Sequence, residues 1–132
     1  MNAASEPGLT VRAFMTTHPQ VLSRDETLDL ADDVMTMGRI RHIPILDNGE
    51  LVGIISQRDM FRSAAVAALG FVGDTQKALI KTIRVKEIMT ANVVTIAPEA
   101  SVKEAARIMI EKKIGCLPVV ERHELIGIIT ET

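Results

Sequence analysis

At 132 residues, with 47 % hydrophobic and 24 % charged side chains, the chain has the size and balance of one compact globular domain or of two intimately packed halves. A formal net charge of −2 argues against a dedicated nucleic-acid binder, and with no Trp, no Tyr and only Phe14, Phe61 and Phe71, a base-stacking platform is poorly supplied. No apolar run reaches the ~18 residues of a membrane span, and MNAASEPGLT lacks the pattern of a secretory signal, so a cytoplasmic protein with no nucleic-acid or membrane partner is expected.

In chain order, PQVLS predicts a short extended piece after Pro19. An amphipathic helix then opens at Thr27, with Leu28, Ala31, Val34 and Met35 on one face. It should stop near Gly38, where glycine accepts a left-handed conformation cheaply. HIPIL and LVGII flank DNGE, and Asn-Gly between apolar runs is a strong hairpin signal. Met60 to Leu69 reads as an alanine-rich helix ending at Gly70, and DTQKALIKTI as a further short helical stretch. VVTIA, bounded by Pro98, is again extended. The next helix opens at Ser101 with Glu104 three residues on, a capping box, and sets Val102, Ala105, Ala106 and Met109 on one face. CLPVV and LIGII flank ERHE, which lacks a glycine, so this turn should differ in detail from the first.

These elements repeat. A shift of 74 positions aligns Val11 to Arg58 with Val85 to Thr132 without a gap, and twelve pairs are identical, among them Met15/Met89, Thr16/Thr90, Pro44/Pro118, Gly53/Gly127 and Ile54/Ile128. The expected organisation is a tail at 1–10, a first repeat at 11–69, a helical linker at 70–84 and a second repeat at 85–132. One copy alone is marginal for independent folding; packing the copies together would bury the apolar sheet and helix faces of both.

The entries FMTTHPQVLS and IMTANVVTIA, the strands HIPIL and CLPVV, and the runs LVGIISQRD and LIGIITET resemble, in their order and repetition, a tandem pair of CBS domains. The resemblance covers all but the N-terminal tail. It implies an α+β fold of two β-α-β-β-α repeats, related by a pseudo-twofold axis and packed sheet to sheet. It also implies two clefts that hold adenine nucleotides or related adenosyl ligands in many relatives, homodimers, and a sensing role without catalysis.

Within that frame, Ser56 stands where a helix must begin and Asp59 falls in its first turn, where a carboxylate can accept from the vicinal hydroxyls of a ribose. Free amides at such a helix start also favour phosphate. The resemblance marks Ser56 and Asp59 as the ribose element; the same Ser-x-x-Asp serves elsewhere as a plain helix cap. It places Arg41, His42 and Arg58 near the ligand's phosphates, where guanidinium groups suit bidentate contacts. Ile54 belongs to the same wall, and the facing wall is expected from Thr90, Val94, Ile114 and Gly115, with backbone groups near Val94 reading the adenine edge. The second cleft draws on Thr16, Gln20, Arg41, Cys116, Ile128 and Thr130, and is the weaker one because Gly115 and Cys116 stand where the first copy has Arg41 and His42. The partner of Asp59 would be residue 133, past Thr132, so the second repeat is expected to be cut before its last helix.

Other features read as structural. Cys116, the single cysteine, has no activating base in sequence and suits a buried position. His18, His42 and His123 share no metal-ligand spacing. Met35, Met37, Met60 and Met109 read as core filler, and Asp25, Glu26, Asp29, Asp32 and Asp33 as the solvated face and first turn of their helix. The leading expectation is a regulatory module for AMP, ADP or ATP that needs no cofactor, forms a homodimer and signals to an effector protein. The alternatives are a binder of S-adenosylmethionine or NAD, and a dimerisation domain without ligand, using Phe61, Ala64, Ala65 and Ala68. An enzyme is not expected.

Overall fold

The computed structural model describes residues 9–68 and 80–131, with backbone alone at 63–68. The chain is a mixed α+β protein: α1 (Val11–Phe14), β1 (Thr16–Thr17), β2 (Leu22–Ser23), α2 (Leu28–Gly38), β3 (His42–Asp47), β4 (Glu50–Ser56), α3 (Gln57–Ala68), α4 (Val85–Ile88), α5 (Val102–Lys112), β5 (Cys116–Glu121) and β6 (Glu124–Thr130). Leu69, Gly70 and most of DTQKALIKTI lie outside the described residues.

Two compact units form, one from the residues up to Pro19 with those from Val94 on, the other from Gln20–Val93. Each holds a three-stranded sheet, in the orders β2-β3-β4 and β1-β6-β5. In the Gln20–Val93 unit, β2 runs parallel to β3 and β3 antiparallel to β4. Pro44 sits within β3, the middle strand, although proline lacks the amide that a ladder needs. It is tolerated because β2 reaches only Ile45 and Leu46, leaving Pro44 an edge position on that side. The core gathers Leu28, Ala31 and Met35 of α2, Ile43 and Ile45 of β3, Ile55 of β4, Met60 of α3 and Val85 of α4. The other unit has the equivalent set: Val11, Ile96, Ala105, Leu117, Val119 and Ile129.

The two cores include a residue that the repeat would not assign to them. Val85, which opens the second copy, is buried among first-copy side chains, and Val11, which opens the first, among second-copy ones. The main chain agrees. Val85 N–H donates to Glu26 O (2.8 Å), Lys86 N–H to Arg24 O (3.0 Å) and Leu28 N–H to Ile83 O (2.9 Å). At the same 74-residue offset, Val11 donates to Ala100 O (2.8 Å), Arg12 to Pro98 O (2.9 Å) and Val102 to Leu9 O (2.8 Å). Each copy's opening segment thus completes the other copy's unit.

Several local expectations are corrected. The extended stretches shrink to Leu22–Ser23 and to a single parallel bridge between Ile96 and Val119. α2 includes Gly38, and the left-handed residue that ends it is Arg39 (φ 54°), matched by Lys113 (φ 55°) after α5. The two hairpin turns are alike: Asn48 and Gly49 have φ of 52° and 83°, and Arg122 and His123 adopt 52° and 69° without any glycine. Positive φ at both central residues is the type I′ signature, whose twist matches that of the flanking strands. Ser101 does cap α5, its Oγ accepting from Glu104 N–H at 3.0 Å, but the Glu104 carboxylate turns to Arg107. Thr27 donates its hydroxyl to Asp29 and makes no cap. Ala106 and Met37 are exposed, Met37 at 85 %, while Met35 and Met60 are buried.

Candidate functional site

The site begins with the backbone. β3 and β4 pair with His42 opposite Ser56 and Pro44 opposite Ile54. After Ser56 the chain turns into α3, and Gln57 N–H donates back to Arg41 O at 2.8 Å. This bond fastens the residue before β3 to the first residue of α3, so Arg41, His42, Ser56 and Arg58 share one corner. Gln57, whose amide makes this tie, is signalled in the sequence only by its place just after a cap residue.

Ser56 and Asp59 cap each other. Asp59 N–H donates to Ser56 Oγ at 3.0 Å, and Ser56 N–H donates to Asp59 Oδ2 at 3.1 Å. This reciprocal pair satisfies two amides that the helix start would otherwise leave open, and puts negative charge at the positive end of the helix dipole. Such a cap contributes about 0.5–2 kcal/mol. It also fixes the carboxylate: Oδ2 is committed, whereas Oδ1 makes no hydrogen bond among the described residues. With the Ser56, Gln57 and Asp59 amides all engaged, the helix start offers an anion less than the sequence suggested.

Charge at the corner is therefore carried by side chains. Arg41 and Arg58 are exposed, and His42, Ser56 and Asp59 are half-buried. Neither guanidinium has an ion-pair partner among the described residues, in contrast with Arg12, Arg24 and Arg107, which are all paired.

Thr90, expected from the second copy, belongs to this same unit. It exchanges both main-chain hydrogen bonds with Ile54, at 3.0 and 2.9 Å. The approach is close enough that a Cβ on Gly53 would meet Met89 Cγ at 2.9 Å and Thr90 O at 3.1 Å. Glycine at 53 is required by this contact, as at 127, where Met15 Sδ and Thr16 O would lie 2.7 and 2.9 Å away. The paired identities of methionine, threonine and glycine in the repeat are one packing device used twice.

Val94, Ile114 and Gly115 lie in the other unit. So do Thr16, Cys116, Ile128 and Thr130, with Thr16 opposite Ile128 and Cys116 opposite Thr130, whereas Gln20 and Arg41 do not. Glu131 N–H donates to Gly115 O at 3.1 Å, repeating the Gln57–Arg41 tie with a glycine in place of the cation. Cys116 is buried, and desolvation pushes its thiol up to about 12, which leaves it a poor nucleophile. No helix of the described residues is long and apolar enough to cross a membrane.

The CBS domain family model matches residues 11–65 and 85–132. A Vibrio cholerae structure carrying the acetoin utilization designation AcuB is 41 % identical, with a TM-score of 0.77 over 92 % of this chain and 84 % of that one. CBSX2, solved in complex with AMP, is 29 % identical, with a TM-score of 0.75 over 94 % and 91 %. The CBS domain pair of MJ0100, solved with 5′-methylthioadenosine and S-adenosyl-L-methionine, is 28 % identical, with a TM-score of 0.70 over 92 % and 88 %. The homoserine O-acetyltransferase of Methanococcus vannielii is 32 % identical over 88 % of this chain, yet the match spans 22 % of that enzyme. With both repeats matched and the same fold in all three structures, the chain belongs to the CBS-domain family.

Proposed function

We infer that this chain is a non-catalytic regulatory module that binds an adenosyl nucleotide of the AMP, ADP or ATP type where β4 turns into α3. The observation that carries the reading is the Ser56–Asp59 cap, which commits Oδ2; Oδ1, without a hydrogen bond among the described residues, is the oxygen to accept from a ribose hydroxyl. Arg41 and Arg58 supply charge for phosphate, with His42 beside them, and Ile54 and Thr90 form the adjoining backbone. Support comes from two relatives, one solved with AMP and one with 5′-methylthioadenosine and S-adenosyl-L-methionine, which share the adenosyl group. A homodimer that passes ligand occupancy to an effector protein completes the reading, since a ligand shifts an equilibrium only as far as its affinities for the two states differ.

Calorimetric titration with AMP, ADP, ATP, S-adenosylmethionine and NAD tests it. Saturable binding of at least one, lost in Asp59→Ala and kept in Asp47→Ala, is the expected result. Silence from all five at millimolar concentration would refute it. A second reading, a ligand-free dimerisation domain, draws on the exposure of Phe61 (76 %) and Met37 (85 %); the side chains of Ala64, Ala65 and Ala68 lie outside the described residues. Light scattering that finds a stable dimer indifferent to every nucleotide would favour it.

A further inference from the structure

The unit containing β5 and β6 is a seat filled by a plug. Its seat comes from residues after Val94, and the plug is Leu9–Thr17, whose Arg12 pairs with Glu99 across 87 positions of chain. The plug is held by fully buried Val11, by the main-chain bonds at Leu9, Val11 and Arg12, and by pairing of Thr16 and Thr17 with Ile128 and Gly127. Arg12 adds ion pairs to Glu99 (2.9 Å) and Glu121 (2.7 Å), which are exposed and so contribute little. The other seat takes its plug, Ile83–Thr90, in the same way: Val85 is buried, Lys86 pairs with Asp25, and Thr90 pairs with Ile54.

We propose that the seat after Val94 also accepts Leu9–Thr17 from a second copy of this chain, so that copies exchange the segment. Both seats receive their plug as a separate stretch, and what they recognise is local: a valine, a cation next to it, then Met-Thr. None of these contacts depends on which molecule supplies the plug. The hinge favours release. His18, just beyond the plug, carries a side chain at φ 51°, and Pro19 follows, so opening relieves backbone strain that docking maintains. Exchange of an identical element between copies costs little because every docked contact is regained.

Thr10 and Ser101 report on docking. They face each other in an antiparallel bridge flanked by the Val11–Ala100 and Val102–Leu9 hydrogen bonds. In such a pair the Cα atoms lie about 4.5 Å apart, within disulfide range. In a Cys116→Ala background, full chains bearing Thr10→Cys are mixed with differently sized full chains bearing Ser101→Cys and oxidised. The expected product is a mixed covalent dimer, at least tenfold more abundant than with Glu124→Cys in place of Ser101→Cys, and reduced severalfold by His18→Gly. Both substitutions in one chain should close an internal disulfide, which serves as the folding control. Closure within one chain, with cross-copy yield no higher than the Glu124→Cys control, would overturn the proposal. So would failure of the double variant to close, because the docked geometry would then be wrong.

Discussion

Met89 occupies the space over Gly53 that any other residue's Cβ would need, and Thr90 O closes the gap from the other side at 3.1 Å. Gly53→Ala should therefore cost about 1–3 kcal/mol, the range for overpacking a filled interior. Gly127→Ala should cost a similar amount through Met15 and Thr16. Urea denaturation of the two variants checks this. A loss under 0.5 kcal/mol at either position would mean that the opening segment does not press on the strand.

The cap at the start of α3 separates stability from binding. Ser56→Ala and Asp59→Ala each remove one of the two reciprocal hydrogen bonds, so each should cost about 1 kcal/mol by chemical denaturation. Only Asp59→Ala removes the carboxylate, and it alone should weaken adenosyl-nucleotide binding by tenfold or more. Equal loss of binding in both variants would assign the effect to the helix start.

Cys116 gives a dependence on pH. Its thiol rises from an ordinary 9.0 to about 12 because burial disfavours the thiolate. Below about pH 9 both folded and unfolded chains keep the proton, and the full contribution to stability is present. Between 9 and 12 the unfolded chain releases the proton first, so stability falls as pH rises through this window. Melting curves at pH 8 and 10 should show a drop that is smaller in Cys116→Ala. A thiol reagent at pH 8 should label the unfolded chain and leave the folded one nearly untouched.

Asp25 works in the opposite direction. Its hydrogen bond and charge interaction with Lys86 hold the carboxyl below 3.8. A lowered carboxylate contributes above its unfolded value and loses that contribution as pH falls through the folded one. Stability should fall slightly below pH 4, and Lys86→Met should flatten that fall. The pair is exposed, so the effect is a small one, read best as the difference between two melting curves.

The second hairpin offers a gain. His123 holds φ 69° with a side chain in place, a conformation that glycine adopts without penalty. His123→Gly should raise stability by about 0.5–1 kcal/mol, and Gly49→Ala should lower it by about 1–2 kcal/mol. Thermal melts of both variants decide this.

Much of the architecture was legible because duplication doubles every signal. The buried runs Ile43-Pro44-Ile45 and Leu117-Pro118-Val119 recur at the same offset in both copies, and Asn48-Gly49 announced its turn. What escaped was set by partners distant in sequence. The ERHE turn takes the DNGE conformation because β5 and β6 must twist like β3 and β4, overriding the preference of Arg122 and His123. Arg39 rather than Gly38 ends α2, since burial of Met35 extends the helix and carries the reversal one residue further. Ser56 and Asp59 were visible as a motif, but their mutual bonding, which uses up amides once available to an anion, emerged only with coordinates. Nor could spacing reveal that Thr90 stands beside Ile54, because that pairing follows from the opening segments changing places.

That change of places also sets an order of events during synthesis. Gln20–Val93 is a contiguous stretch, so everything its core needs leaves the ribosome ahead of the residues that build the other unit's sheet. The other unit must wait: Val11, made among the first residues, meets Ala100 and Leu117 only after they emerge. Until then the nascent N-terminal segment keeps an apolar valine in water with no native neighbour. A translational pause after Val93 has emerged but before Ala100 and Leu117 have would prolong exposure of that valine while leaving the central stretch free to fold.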